Sequence, residues 1–161
     1  MNHWNAPAIL DRLEEVRGRA RELDVLARAL TSRCLRLGPG LEFPVEDGHL
    51  VTEPFDGTML PGDLLLGRMD GTIWWARDDG VGGADLRSLD LSPGHTQVAM
   101  MATALFEWHR SRPACLTCGG ATAPDRAGTA RRCLERGHQL FPRTDPAIIL
   151  AITDPQDRLL L

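Results

Sequence analysis

The chain reads as an α+β protein made of several small units, and three features of its 161 residues say so. An apolar stripe at helical spacing opens it. A long stretch of short apolar runs broken by Gly, Pro and Asp follows. A second helical stretch then leads into a cysteine-bearing insert between Cys115 and His138. The expected units are an N-terminal helical segment at 1–36, a β-rich domain with its closing helix at 37–112, a small ribbon at 113–140, and the first strands of a further domain at 141–161. A chain of this length buries one ordinary core, or two small ones with a staple between them.

From Pro7 to about Leu30, apolar residues fall at Leu10, Leu13, Val16, Ala20, Leu23, Ala27 and Leu30. Three-and-four spacing of this kind places one stripe toward a core and predicts an amphipathic helix. Glu14, Glu15, Arg17 and Arg21 then form its solvated face. Between Leu37 and Asp90 the runs LEFPV, HLVTEPF and DLLLGRMDGTIWWARDD have the texture of strands and turns. Asp70-Gly71, between two apolar stretches, is the strongest short signal for a hairpin. Trp74 and Trp75 point to opposite faces of such a strand, so at most one is expected fully in the core.

Ser92-Pro93 opens a second helix, with a hydroxyl to cap the first turn and a proline where the N–H is free anyway. The helix is expected to run to about Ser111, burying Val98, Met101, Ala102, Leu105 and Trp108 or His109. It stops before Pro113, because the residue ahead of a proline resists the α conformation. After the cysteine segment, FPRTDPAIILAITDPQDRLLL reads as a strand, a turn at Asp154–Asp157 and the start of another strand.

Hydrophobic content of 43% with 25% charged residues excludes a disordered chain, and no apolar run approaches the length that spans a bilayer. The acidic, Arg-containing start does not read as a signal peptide, so the cytoplasm is the expected compartment and no membrane partner is expected. Every basic residue among the 18 is Arg, and these are scattered rather than gathered into one motif. The net charge of −4 is unevenly spread: residues 1–109 carry 10 Arg against 17 acids, whereas residues 110–143 carry seven Arg against Asp125 and Glu135 alone. A basic segment of this kind meets a phosphate-bearing ligand or docks on the acidic remainder of the chain, and docking is the simpler expectation.

Cys115 and Cys118 are two residues apart and followed by Gly119-Gly120, which suits a tight turn whose amides point at two thiolates. Fourteen residues then precede Cys133, enough for a short hairpin turning at Asp125–Gly128. His138, five positions after Cys133 with Gly137 loosening the backbone, is the expected fourth donor of a Cys₃His site for structural Zn²⁺. Two alternatives stand beside it: His138 hydrogen-bonds the following strand and leaves three thiolates, or His109 supplies the donor from its helix end. Cys34, apart from the others on or near the first helix, is expected to be a small buried hydrophobe.

FEWHRSRPACLTCGG, RRC and FPRTDPAIILAI together resemble the NADH pyrophosphatases, the NAD(+) diphosphatase branch of the Nudix hydrolases. The resemblance covers about residues 104–161 closely. It implies an N-terminal β-rich domain, a zinc ribbon and a C-terminal Nudix domain. It also implies cleavage of the pyrophosphate of NADH or NAD⁺ to nicotinamide mononucleotide and AMP. Enzymes similar to these remove NAD caps from RNA, and homodimers are usual. In that comparison the ribbon has two Cys-x-x-Cys pairs; Arg136 stands where the fourth cysteine falls, with His138 as its substitute.

The Nudix box, whose carboxylates hold Mg²⁺ or Mn²⁺, is absent from these 161 residues. The chain is therefore expected to be an N-terminal fragment of a longer enzyme, with no catalytic residues of its own and no activity alone. The competing expectation is a non-enzymatic zinc-ribbon module that binds RNA or protein through its basic face.

Overall fold

The computed structural model describes residues 7–143 together with 152, 154–156 and 158. Its centre is a four-stranded sheet in the order β4-β1-β6-β5, made of β1 (Ser32–Arg36), β4 (Glu53–Pro54), β5 (Leu64–Met69) and β6 (Thr72–Arg77). The β5–β6 hairpin turns at Asp70-Gly71 as expected. Both residues have positive φ, 50° and 78°, the backbone that matches the twist of the flanking strands. The central pair β1 and β6 is parallel, with Cys34 opposite Trp75. A two-stranded ribbon, β2 (Val45–Glu46) with β3 (His49–Leu50), lies outside this sheet.

Side-chain alternation along the strands feeds two cores, one on each face. Leu35, Leu64, Leu66, Trp74 and Ala76 join one face, and Cys34, Leu65, Ile73 and Trp75 join the other. Helix α2 (Pro93–Ser111) covers the first through Val98, Ala99, Ala102, Leu105 and Phe106. It begins as expected, with the Ser92 hydroxyl accepting from the His95 amide and Pro93 in the first turn. The second face is covered by Leu13 and by Leu23 and Ala27 of helix α1 (Ala20–Ala27). Both tryptophans are therefore buried, Trp74 at 6% exposure and Trp75 at 1%, against the expectation of one. Trp75 stacks on Phe55 at 4.7 Å, and its indole N–H reaches the Ser32 hydroxyl at 3.3 Å.

The long first helix is corrected to eight residues. Ahead of α1 the chain runs as an arm in which Asp11 and Arg68 exchange backbone hydrogen bonds of 2.9 and 2.7 Å. The Asp11 carboxylate also accepts from the Leu13 amide at 3.0 Å, and Leu13 has φ of 53°. Such a local side-chain turn competes with helix, and here it wins because β5 gains a backbone partner. Leu10, Leu13 and Val16 still pack inward, but from a non-helical backbone. Cys34 sits on β1, not on a helix; it is buried, and burial pushes its thiol up to about 12.

Arg17 is corrected too. Its side chain is fully buried and donates to four carbonyls, those of Arg12, Leu65, Leu66 and Ala127. Arg77 is likewise buried, gripping Asp63 with two bonds of 2.8 and 3.0 Å and tying down Asp56 and the Thr58 carbonyl. No helix among the described residues is long and apolar enough to cross a membrane. The expected strand after Phe141 falls on residues 144–151, outside those described, whereas the Asp154 carboxylate does accept from the Gln156 and Arg158 amides as a turn.

His95, near the start of α2, accepts the Leu50 amide through Nδ1 at 3.4 Å, with the His49 ring 5.6 Å away. Burial first, and the neighbouring His49 second, hold its pKa below the ordinary 6.5. A protonated ring has no lone pair for Leu50. The unfolded chain takes up the proton first, so this contribution is complete above about pH 6.5 and is lost as pH falls through the folded value. An NMR titration is expected to show His95 titrating below the free imidazole, and a value at or above 6.5 would contradict the contact.

Candidate metal centre

Beyond α2 the chain forms a small three-stranded antiparallel sheet: β7 (Thr122–Asp125), β8 (Ala130–Cys133) and β9 (Gln139–Leu140). The β7–β8 turn falls at Arg126–Gly128, within the expected stretch. Pairing of Thr122 with Cys133 brings the end of β8 back beside the Cys115–Cys118 turn. Cys115, Cys118, Cys133 and His138 meet there, with their donor atoms within 4.8 Å of one another. His109 is not among the four.

The two halves of the cluster share one backbone design. In the first, the Cys115 amide donates to the Gly120 carbonyl at 2.7 Å and the Gly119 amide returns to the Cys115 carbonyl at 2.8 Å. In the second, the Cys133 amide donates to the His138 carbonyl at 2.8 Å and the Gly137 amide returns to the Cys133 carbonyl at 2.9 Å. Gly119 and Gly137 occupy matching left-handed positions, φ 75° and 70°, which glycine adopts without strain. Superposing the halves sets Arg136 against Cys118 and His138 against Gly120. The second half thus places its donor two residues later, where the longer imidazole reaches the cluster from Nδ1, 3.4 Å from the Cys115 sulfur.

Electrostatics favour a bound cation. The hydrogen bond with His138, followed by the Thr117 amide, draws the Cys115 thiol down to about 6. At Cys118 the Gly120 amide pulls downward, but sharing with Cys133 at 3.5 Å, burial and the nearby Cys115 together outweigh it and raise the thiol. Sulfurs this close repel once ionised, and a divalent cation removes that conflict. Three thiolates and an imidazole form a closed four-donor set that fits tetrahedral Zn²⁺ and leaves no open position for water.

Side chains outside the cluster lock the ribbon onto α2 and the N-terminal arm, and no sequence pattern marked them. Arg131, in the basic segment, is buried and bonds Thr122 through Nε at 2.7 Å and Nη2 at 2.8 Å. Its Nη1 donates to His109 Nδ1 at 2.9 Å, so His109 Nε2 carries the ring proton and donates to the Gly128 carbonyl at 2.8 Å. Burial first, with Arg131 adding to it, keeps His109 below its usual pKa against the opposing pull of Gly128. Arg132 pairs with Asp125 at 2.7 Å, Arg126 reaches the Glu14 carbonyl, and Arg110 lies 3.6 Å from Asp78. Arg132 thus finds its carboxylate within the ribbon, and Arg110 and Arg126 reach back to the acidic N-terminal part.

Fold and site together define an α+β protein carrying a Cys₃His ribbon on its second helix. No family model matches the chain. Among curated proteins it is similar to the NAD-capped RNA hydrolase NudC of Mycobacterium tuberculosis, 33% identical over 114 residues, which are 63% of this chain and 36% of that protein. NudC of Deinococcus radiodurans is 36% identical over 74 residues, covering 44% of this chain and 26% of the relative. Human NUDT12, also an NAD-capped RNA hydrolase, is 29% identical over 75 residues, 42% and 16% of the two chains. The chain is thus related to the NADH-pyrophosphatase-like Nudix hydrolases. It spans about a third of the length of the first of these relatives, 36%.

Proposed function

We propose that these residues are the N-terminal part and zinc ribbon of an NAD(H) diphosphatase that splits the pyrophosphate of NADH or NAD⁺ into nicotinamide mononucleotide and AMP, and that acts also on NAD-capped RNA. The observation that carries this reading is the similarity to three NAD-capped RNA hydrolases. Cys115, Cys118, Cys133 and His138 hold one Zn²⁺ in it, as a staple rather than a reagent. The division at 1–36, 37–112, 113–140 and 141–161, a cytoplasmic setting and a homodimeric full-length enzyme belong to the same proposal.

Hydrolysis of a pyrophosphate needs Mg²⁺ or Mn²⁺ held by clustered carboxylates to polarise the phosphoryl oxygen and activate water. Neither Glu14-Glu15 nor Asp78-Asp79 supplies the helical array of a Nudix box, so the 161 residues alone are inactive. Purified alone, the chain is expected to release no AMP from NADH with Mg²⁺ or Mn²⁺. Joined to the Nudix-box portion of the mycobacterial relative, it is expected to restore release. AMP from the chain alone would overturn its inactivity, and a folded but dead chimera would count against the diphosphatase reading. Salt-sensitive micromolar binding of RNA, lost when Arg132 and Arg136 both become Ala, would favour the binding-module alternative. Arg131 is unsuited to that test because its buried contacts hold the ribbon together.

A further inference from the structure

The four donors are not equivalent toward oxidants. Cys115 and Cys133 are 3% and 2% exposed, whereas Cys118 is half-buried and is the ribbon thiol that solvent reaches. Within the cluster the Cys118 and Cys133 sulfurs lie 3.5 Å apart, while the Cys115 sulfur, which also neighbours Cys118, lies 3.4 Å from His138 Nδ1. The chain's remaining thiol, Cys34, lies buried on β1 among Phe55, Leu65 and Trp75. Three thiols in the cluster allow one disulfide and leave one sulfur over.

We propose that Cys118 and Cys133 form a peroxide-sensitive pair, whose oxidation to a disulfide releases the metal while Cys115 stays reduced beside His138. It rests on the proposal that the cluster holds zinc. The Cys118 thiolate attacks one oxygen of hydrogen peroxide; an S–O bond forms, the O–O bond breaks, and the leaving hydroxide takes a proton to become water. The Cys133 thiolate then attacks the Cys118 sulfur; the S–S bond forms, the S–O bond breaks, and hydroxide again leaves and is protonated. Two thiolates lose two electrons, one peroxide becomes two waters, and the cation loses two of its four donors. The Cys115–His138 pair that remains cannot complete a tetrahedral set.

The test treats the zinc-loaded chain with one equivalent of hydrogen peroxide. Released zinc is read with a chromogenic chelator, and the disulfide is mapped by mass spectrometry after alkylation. One zinc is expected to leave per disulfide formed, Cys118 is expected to be linked to Cys133, and Cys115 to be alkylated. Cys34→Ser is expected to change none of this, and a dithiol reductant to restore zinc binding. A Cys115–Cys118 link, a link between chains in place of one within a chain, or zinc retained while methionines oxidise would each overturn the proposal. A chain that holds no zinc before oxidant is added refutes the metal reading and the release together, whereas the linkage is decided by the map in either case.

Discussion

Stripping the proposed zinc with a strong chelator is expected to unfold both knuckles of the ribbon while the four-stranded sheet stays folded. Residues 113–140 are well short of the roughly 40 below which a unit needs a metal, disulfide or partner to hold its shape. Little apolar burial is available there: Leu116 and Leu134, each following the first cysteine of its knuckle, are 77% and 66% exposed. Structural zinc in small units supplies an apparent 10–16 kcal/mol, about the whole stability of an ordinary domain. Amide exchange at Gly119 and Gly137, whose N–H groups close the two knuckles, is expected to accelerate at least about a hundredfold on chelation. Cys115→Ser is expected to lose the metal and show the same acceleration without chelator, while the β5–β6 amides change little. Slow exchange at both glycines in metal-free protein would mean that the knuckles stand without a cation.

The contrast between those two regions follows what the sequence made legible. Features specified by neighbours in sequence could be read directly: the Asp70-Gly71 turn, the Ser92-Pro93 helix start and the Cys-x-x-Cys knuckle each carry their own local chemistry. The place of His138 beside the three cysteines was legible from spacing alone, although the equivalence of the two knuckles that explains it appears only in their backbone hydrogen bonds. Features that depend on distant partners were not. Residues 7–30 have a helical stripe, but Asp11 is claimed by Arg68, 57 positions away. The parallel β1–β6 pairing joins residues some forty positions apart, and it is this pairing, with the arm and α1 covering the second face, that buries both tryptophans.

Buried arginines are the hardest to foresee, because their sequence neighbourhood looks like a solvated face. Arg17 lies among Arg12, Glu14, Glu15, Arg19 and Arg21, yet these charged neighbours are exposed and it alone among them turns inward. Arg131 and Arg132 are adjacent on β8, so the pleat sends one into the ribbon interior and the other out to Asp125. What selects the inward residue is a set of carbonyls assembled from several elements, and no local pattern encodes it.

For Arg17 that set predicts a large loss on substitution. The β5 register shifts between Leu65 and Gly67, and Arg17 donates to the carbonyls of Leu65 and Leu66 at this irregularity at 2.7 and 3.3 Å. The same guanidinium holds the Arg12 carbonyl of the arm at 2.8 Å and reaches the Ala127 carbonyl of the ribbon turn at 3.4 Å. Desolvation lowers its pKa to about 10, still well above neutrality, so the buried group remains a cation that donates throughout the physiological range. Met fills similar volume but offers no donor, and each buried carbonyl left without one costs about 1–3 kcal/mol. Removing the desolvated charge returns part of this, so Arg17→Met is expected to cost about 3 kcal/mol, read as a fall in the urea midpoint at unchanged slope. Because Ala127 and Arg126 have left-handed φ of 49° and 51° in a turn that Arg17 helps to hold, the variant is also expected to speed amide exchange at Gly128 and Thr129. Arg17→Lys separates charge from geometry: one ammonium cannot span the carbonyls of arm, bulge and ribbon, so it is expected to recover less than half of the loss. An unfolding free energy for Arg17→Met within about 0.3 kcal/mol of the parent would show that the bulge and the ribbon turn hold themselves, with the arginine filling space between them.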